Sequence, residues 1–101
     1  MDFQNFLTNK IKLLARQFSY LGFKAEQNEI SGFYFVEVTP MEEFRNNNIL
    51  AKQIRDIYLE QLEKYPSESL SFITTDSYYK ITTPFLDIEA KHYELSNIIS
   101  S

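Results

Sequence analysis

Only two glycines occur in the 101 residues, and each falls between two patterned segments. Gly22 follows an amphipathic run, where a left-handed residue would close a helix. Gly32 stands in Ser31-Gly32 between two strand-like runs, where a tight turn is expected. With both glycines placed structurally, none is left to build a loop that cradles phosphate. Cysteine and tryptophan are absent and there is one histidine. Disulfides, thiolate metal sites and thiol catalysis are thereby excluded.

The length suits one domain spanning 1–101, which buries roughly 65% of its unfolded surface. Nine Phe and seven Tyr supply much of the apolar material, each ring burying on the order of 150–250 Å2. The net charge is −4 and the isoelectric point about 4.9. Residues 1–25 carry Lys10, Lys12, Arg16 and Lys24 against Asp2 alone, so the acidity lies in the remainder. Non-specific nucleic-acid binding needs clustered bases and is disfavoured. The longest apolar run is Phe33-Tyr34-Phe35-Val36, far short of a membrane span. The N-terminal residues show no leader pattern, so a cytoplasmic setting is expected.

Phe3, Leu7, Ile11, Leu14, Phe18 and Leu21 recur at helical spacing, predicting a helix over 3–21 with Asp2 as its N-cap. Residues 23–30 and 33–39 read as a hairpin. A two-residue turn at Ser31-Gly32 would set Glu26 against Glu37, which is unfavourable, so a turn at Asn28-Glu29 or a longer loop competes with it. Thr39-Pro40-Met41-Glu42 has the form of a capping box. It predicts a helix to about Tyr65, with Met41, Phe44, Ala51, Ile54, Tyr58, Leu62 and Tyr65 buried and Leu50 and Ile57 widening the stripe. Asn46-Asn47-Asn48 implies a bend there, or a second start capped by Asn48. Lys52–Asp56 and Glu60–Lys64 have the spacing of helical ion pairs.

Residues 69–75 and 78–82 read as a second hairpin around Asp76-Ser77. Thr83-Pro84 repeats Thr39-Pro40 and predicts a third helix burying Phe85, Ile88, His92, Leu95 and Ile99. The competing reading of that segment is a strand, because Leu86, Ile88 and Ala90 alternate with Asp87, Glu89 and Lys91. The expected fold is α+β in the order αββαββ, with the third helix at the end. Its sheet would be four-stranded and antiparallel, with helices mainly on one face. No motif in the chain assigns a family.

His92-Tyr93-Glu94 lacks the downstream cysteines of a zinc deaminase, and no H-E-x-x-H occurs. The carboxylates have capping, turn and ion-pair explanations. No metal site, cofactor or catalytic residue is therefore expected. The aromatic residues are the distinctive material. Phe33 and Phe35 share one strand face, opposite Tyr34, Val36 and Val38; Tyr79 belongs to the second hairpin. An aromatic sheet face is either covered by the C-terminal segment or a second subunit, or is free to dock a protein. Phe33, Phe35, Tyr79, Arg45 and Asn47 are the candidate partner-binding residues.

The expected function is that of a small non-enzymatic protein-interaction module, an inhibitor, immunity-type, antitoxin-like or adaptor protein. Its partner would be a protein, a basic one by charge, and the unprotected strands also predict a homodimer. Neither nucleic acid nor membrane is an expected partner. A small-ligand sensor with an aromatic-lined pocket is the alternative, and a hydrolase using His92 and a carboxylate comes third.

Overall fold

The computed structural model describes residues 2–91. The elements are α1 (Phe3–Gln17), β1 (Gly22–Gln27), β2 (Tyr34–Thr39), α2 (Met41–Asn46), α3 (Asn48–Lys64), β3 (Leu70–Ile73) and β4 (Leu86–Ile88). The chain is α+β, with a four-stranded sheet in the order β3-β2-β1-β4. The sheet is mixed rather than antiparallel. β1 pairs antiparallel with β2 and β4, whereas β2 and β3 run parallel. The helices between β2 and β3 explain this, because a helical crossover returns the chain to the end where β2 began.

One face of the sheet meets the helices. Phe3, Phe6, Leu7, Ile11 and Leu14 of α1 join Leu50, Ile54 and Ile57 of α3 in the core. The sheet contributes Phe23, Ala25, Tyr34, Val36, Val38 and Phe72 to it. Asp2 caps α1 as expected, accepting from the Asn5 amide at 2.8 Å. Across the top of the helical layer, Glu60 of α3 holds Lys10 of α1 and its own Lys64, each at 2.7 Å. Lys52 and Asp56 form no ion pair among the described residues.

The second hairpin and the start of the third helix are not formed. Residues 78–82 are irregular, and 86–88 are strand β4, with Leu86 and Ile88 packed on the core and Asp87 exposed. The alternation in that segment thus outweighs the Thr-Pro start. His92, Leu95 and Ile99 lie outside the described residues.

Three local expectations are also corrected. Helix α1 ends with Phe18 as C-cap, and Gly22 opens β1; only Gly32, at φ 78°, is left-handed. Gly22 is needed for space instead, since a Cβ there would lie 2.7 Å from Thr39 Oγ1, its cross-strand neighbour. The capping box does not form. Thr39 ends β2, Pro40 occupies the N-cap position of α2, and no side chain caps that helix. The break at 46–48 does separate two helices, but Asn47 rather than Asn48 caps the second, accepting from the Leu50 amide at 3.0 Å.

The first hairpin adopts the longer loop. Its register sets Lys24 against Glu37 and Glu26 against Phe35, which removes the acid–acid pairing that a two-residue turn would impose. Asn28 organises the loop, its Oδ1 accepting from the amides of Ile30 and Ser31.

The buried stripe of α3 is Leu50, Ile54, Ile57 and Gln61. It is rotated from the expected one, and Ala51 and Leu62 are exposed. Gln61 takes the inward place because its Nε2 donates to the carbonyls of Tyr65 and Glu68, both at 2.9 Å. Those bonds satisfy acceptors at the helix exit that would otherwise lack partners.

Two outcomes test this architecture. Gly22→Ala should cost about 1–3 kcal/mol by overpacking, and much of that loss should vanish in a Thr39→Ala background. Denaturant titration of the four proteins of the cycle measures the coupling; strict additivity would mean that another atom obstructs the Cβ. The second concerns Glu60, whose carboxyl is held below its usual range by hydrogen bonds from Lys10 and then Lys64. Its stabilising contribution is therefore present above the unfolded value of about 4.3 and lost as pH falls through the lower folded value. Glu60→Gln should flatten the acid limb of the stability–pH curve, read from urea midpoints between neutral and acid pH.

Candidate functional site

Residues 74–85 form a strap across the sheet face that the helices leave open. The ring of Tyr79 stacks on Phe35 with centroids 3.8 Å apart and planes 12° apart. Beneath it, Glu26 on β1 is only 6% exposed. One of its carboxylate oxygens accepts from the amides of Thr82 at 2.9 Å and Thr83 at 3.4 Å. The other accepts from the Tyr79 hydroxyl at 3.2 Å. Burial raises the pKa of that hydroxyl, with Glu26 adding to the rise and a hydrogen bond with Asn28 opposing it. The Phe85 amide then donates to Ala25 O at 2.9 Å and brings the chain into β4.

The aromatic face is therefore covered from within the chain, by 74–85. Phe35 and Tyr79 are brought together there, as structural partners of each other. Arg45 pairs with Asp76 at 2.7 Å, and Asp76 is also bonded by the Thr74 hydroxyl. Thr74 and then Arg45 hold the Asp76 carboxyl below its usual range. Asn47 serves as a cap, and its Nδ2 donates to Tyr20 Oη at 3.0 Å and Glu43 Oε2 at 3.3 Å. Four of the five anticipated residues thus have partners inside the fold.

Phe33 is the exception. It is 48% exposed and borders a groove of about 410 Å3 with Tyr58, Leu62, Glu68 and Leu70. The groove runs between α3 and β3, an edge strand of the sheet. Leu62 is 59% exposed, as is Leu59, one turn earlier on the same helix face. Tyr58 closes the floor. Its hydroxyl accepts from the Phe72 amide at 2.8 Å, and its ring meets Phe72 edge-on. Burial raises the Tyr58 pKa, and the hydrogen bond with Phe72 partly offsets this. Leu62, placed in the expected buried stripe, is exposed instead, whereas Tyr58 of the same stripe does pack against the core. The polar Gln61 beside Leu62 was the available signal that the stripe lay elsewhere.

A second concavity, about 540 Å3, opens beside the strap and is lined by Lys24, Glu37, Thr39, Thr75 and Asp87, with Phe23 its one aromatic residue. Among the described residues no group of three or more His, Asp or Glu is arranged to hold a metal ion, and no helix is long and apolar enough to cross a membrane. His92 lies outside the described residues. No protein-family model, no curated protein and no solved structure matches the chain.

The Glu26 clasp has a direct test. Glu26→Ala removes the acceptor of the Thr82 and Thr83 amides, so amide exchange at these two residues should accelerate markedly more than exchange in α1. Equal acceleration throughout would show global destabilisation and no separate role for the clasp.

Proposed function

We propose that this chain is a small non-enzymatic protein-interaction module that works through the groove between α3 and β3. The observation that carries the reading is the pairing of Phe33 and Leu62, both about half exposed, on the rim of a concave surface at a sheet edge, with Leu59 exposed one turn before Leu62. Singly exposed apolar residues are ordinary, but a cluster bordering a groove is the usual mark of a docking surface. Phe33 is the anticipated residue that remains available to a partner.

A homodimer is part of the proposal as its alternative form. Its two grounds are weaker than the sequence suggests, since Tyr79 covers Phe35 and Tyr58 occupies an amide of the β3 edge. A different protein is the favoured occupant. The second reading, a small-ligand sensor, is favoured by the concavity beside the strap. Its volume falls within the roughly 300–1,000 Å3 of ligand pockets, although its lining is polar rather than aromatic.

Affinity capture with the wild-type chain, Leu62→Asp and Tyr78→Ser tests the module. A protein retained by the wild type and by Tyr78→Ser, but lost with Leu62→Asp, is the expected result. Retention that ignores Leu62 would remove the groove from the function. Sedimentation of the same samples identifies self-association, as a species at twice 12.0 kDa that reverts with Leu62→Asp.

A further inference from the structure

The charge around the groove is one-sided. Among the described residues Glu68 is the only charged side chain lining it. It has no ion-pair partner among the described residues. Lys64 is committed to Glu60, and Arg55 stands two turns from Leu62 along α3, roughly 10 Å away. The rest of the lining is apolar or neutral.

The edge strand restricts how a partner is read. Tyr58 Oη takes the Phe72 amide at 2.8 Å, so an added strand would have to displace a half-buried tyrosine to pair there. Recognition then falls to side chains rather than to main-chain pairing. A second copy seated on a two-fold axis through the groove would bring Glu68 toward its own counterpart, and like charges across an interface are repulsive. Anionic lipid and nucleic acid meet the same field. A basic protein segment meets a complementary one, and the net charge of −4 steers it toward the surface.

We propose that the α3–β3 groove docks a basic segment of another protein, which seats a large apolar side chain between Phe33 and Leu62 and sets a lysine or arginine against Glu68. This rests on the interaction-module reading and names the chemistry of the partner.

The probes are three synthetic helical peptides, titrated calorimetrically into the full chain. The first has leucine at alternating third and fourth positions with lysine between, the second replaces lysine by glutamate, and the third replaces leucine by serine. The first should bind at least about tenfold more tightly than either control. Its affinity should fall as salt rises from about 0.05 to 0.15 M. Leu62→Ser should weaken it about tenfold and Glu68→Gln about two- to fivefold, with amide shifts in the wild type centred on Phe33, Leu62 and Leu70. Equal binding of the serine peptide would reduce the effect to net charge and overturn the proposal, as would equal binding of the glutamate peptide or shifts centred elsewhere. If no peptide binds while Leu62-dependent capture persists, the module stands and the basic partner is wrong. If that capture is also lost, both readings fall.

Discussion

Glu26 puts a carboxylate on a central strand, pointing to the face that no helix covers. An unpaired charge in that position would be costly. Here it is met by two amides of the strap and the hydroxyl of Tyr79. The arrangement works in both directions. The strap gives the carboxylate its donors, and the carboxylate gives an irregular segment a fixed point between β3 and β4. With the strap in place, Tyr79 lies over Phe35 and Phe85 reaches Ala25 O. Phe35 is then covered, and the exposed apolar side chains are left on α1 and α3, at Phe33, and singly at Tyr20, Ile30 of the hairpin loop and Tyr78 of the strap.

The need for such a strap follows from topology. The α2–α3 crossover makes β3 parallel to β2, so a tight turn after Ile73 could only lead to a strand beyond β3. The chain instead crosses the sheet and pairs β4 with β1 at the opposite edge. Crossing a sheet face leaves backbone groups away from regular pairing, and each buried one needs a partner. The side chain of Glu26 supplies two of those partners, and Lys80 reaches the Thr75 carbonyl at 2.6 Å.

Much of this was legible in the residues, for identifiable reasons. Helix α1 is long, singly patterned and capped by Asp2, so periodicity alone located it. Strand β2 is aromatic and β-branched throughout, and its partner β1 was located too. The charge argument against opposing Glu26 and Glu37 disfavoured the two-residue turn but left the register open; the longer loop sets Lys24 opposite Glu37. What was not legible depended on contacts between distant residues. A parallel pairing leaves no turn signal. The role of Gly22 is set by the side chain of Thr39, seventeen positions away. The covering of Phe35 depends on Glu26 finding Thr82 and Thr83 across more than fifty residues. Phe33 was named as a site residue from its strand face, but its groove partners were hidden by the misplaced stripe of α3.

That stripe links local chemistry to the candidate surface. Gln61 is drawn inward because its amide satisfies the carbonyls of Tyr65 and Glu68. Successive helical residues differ by about 100°, so Leu62 is carried outward by the same rotation, onto the face of Leu59. Leaving a leucine exposed forgoes roughly 1.5–3 kcal/mol of burial, and a lysine or glutamate at that place would serve solubility equally well. Yet Leu62, Leu59 and Phe33 are all apolar, Glu68 is the one charge lining the groove among the described residues, and Tyr58 takes the outward amide of Phe72 on the adjacent strand. Folding explains why these positions face outward. It does not require them to be apolar, and that is the ground for the docking role proposed for the groove.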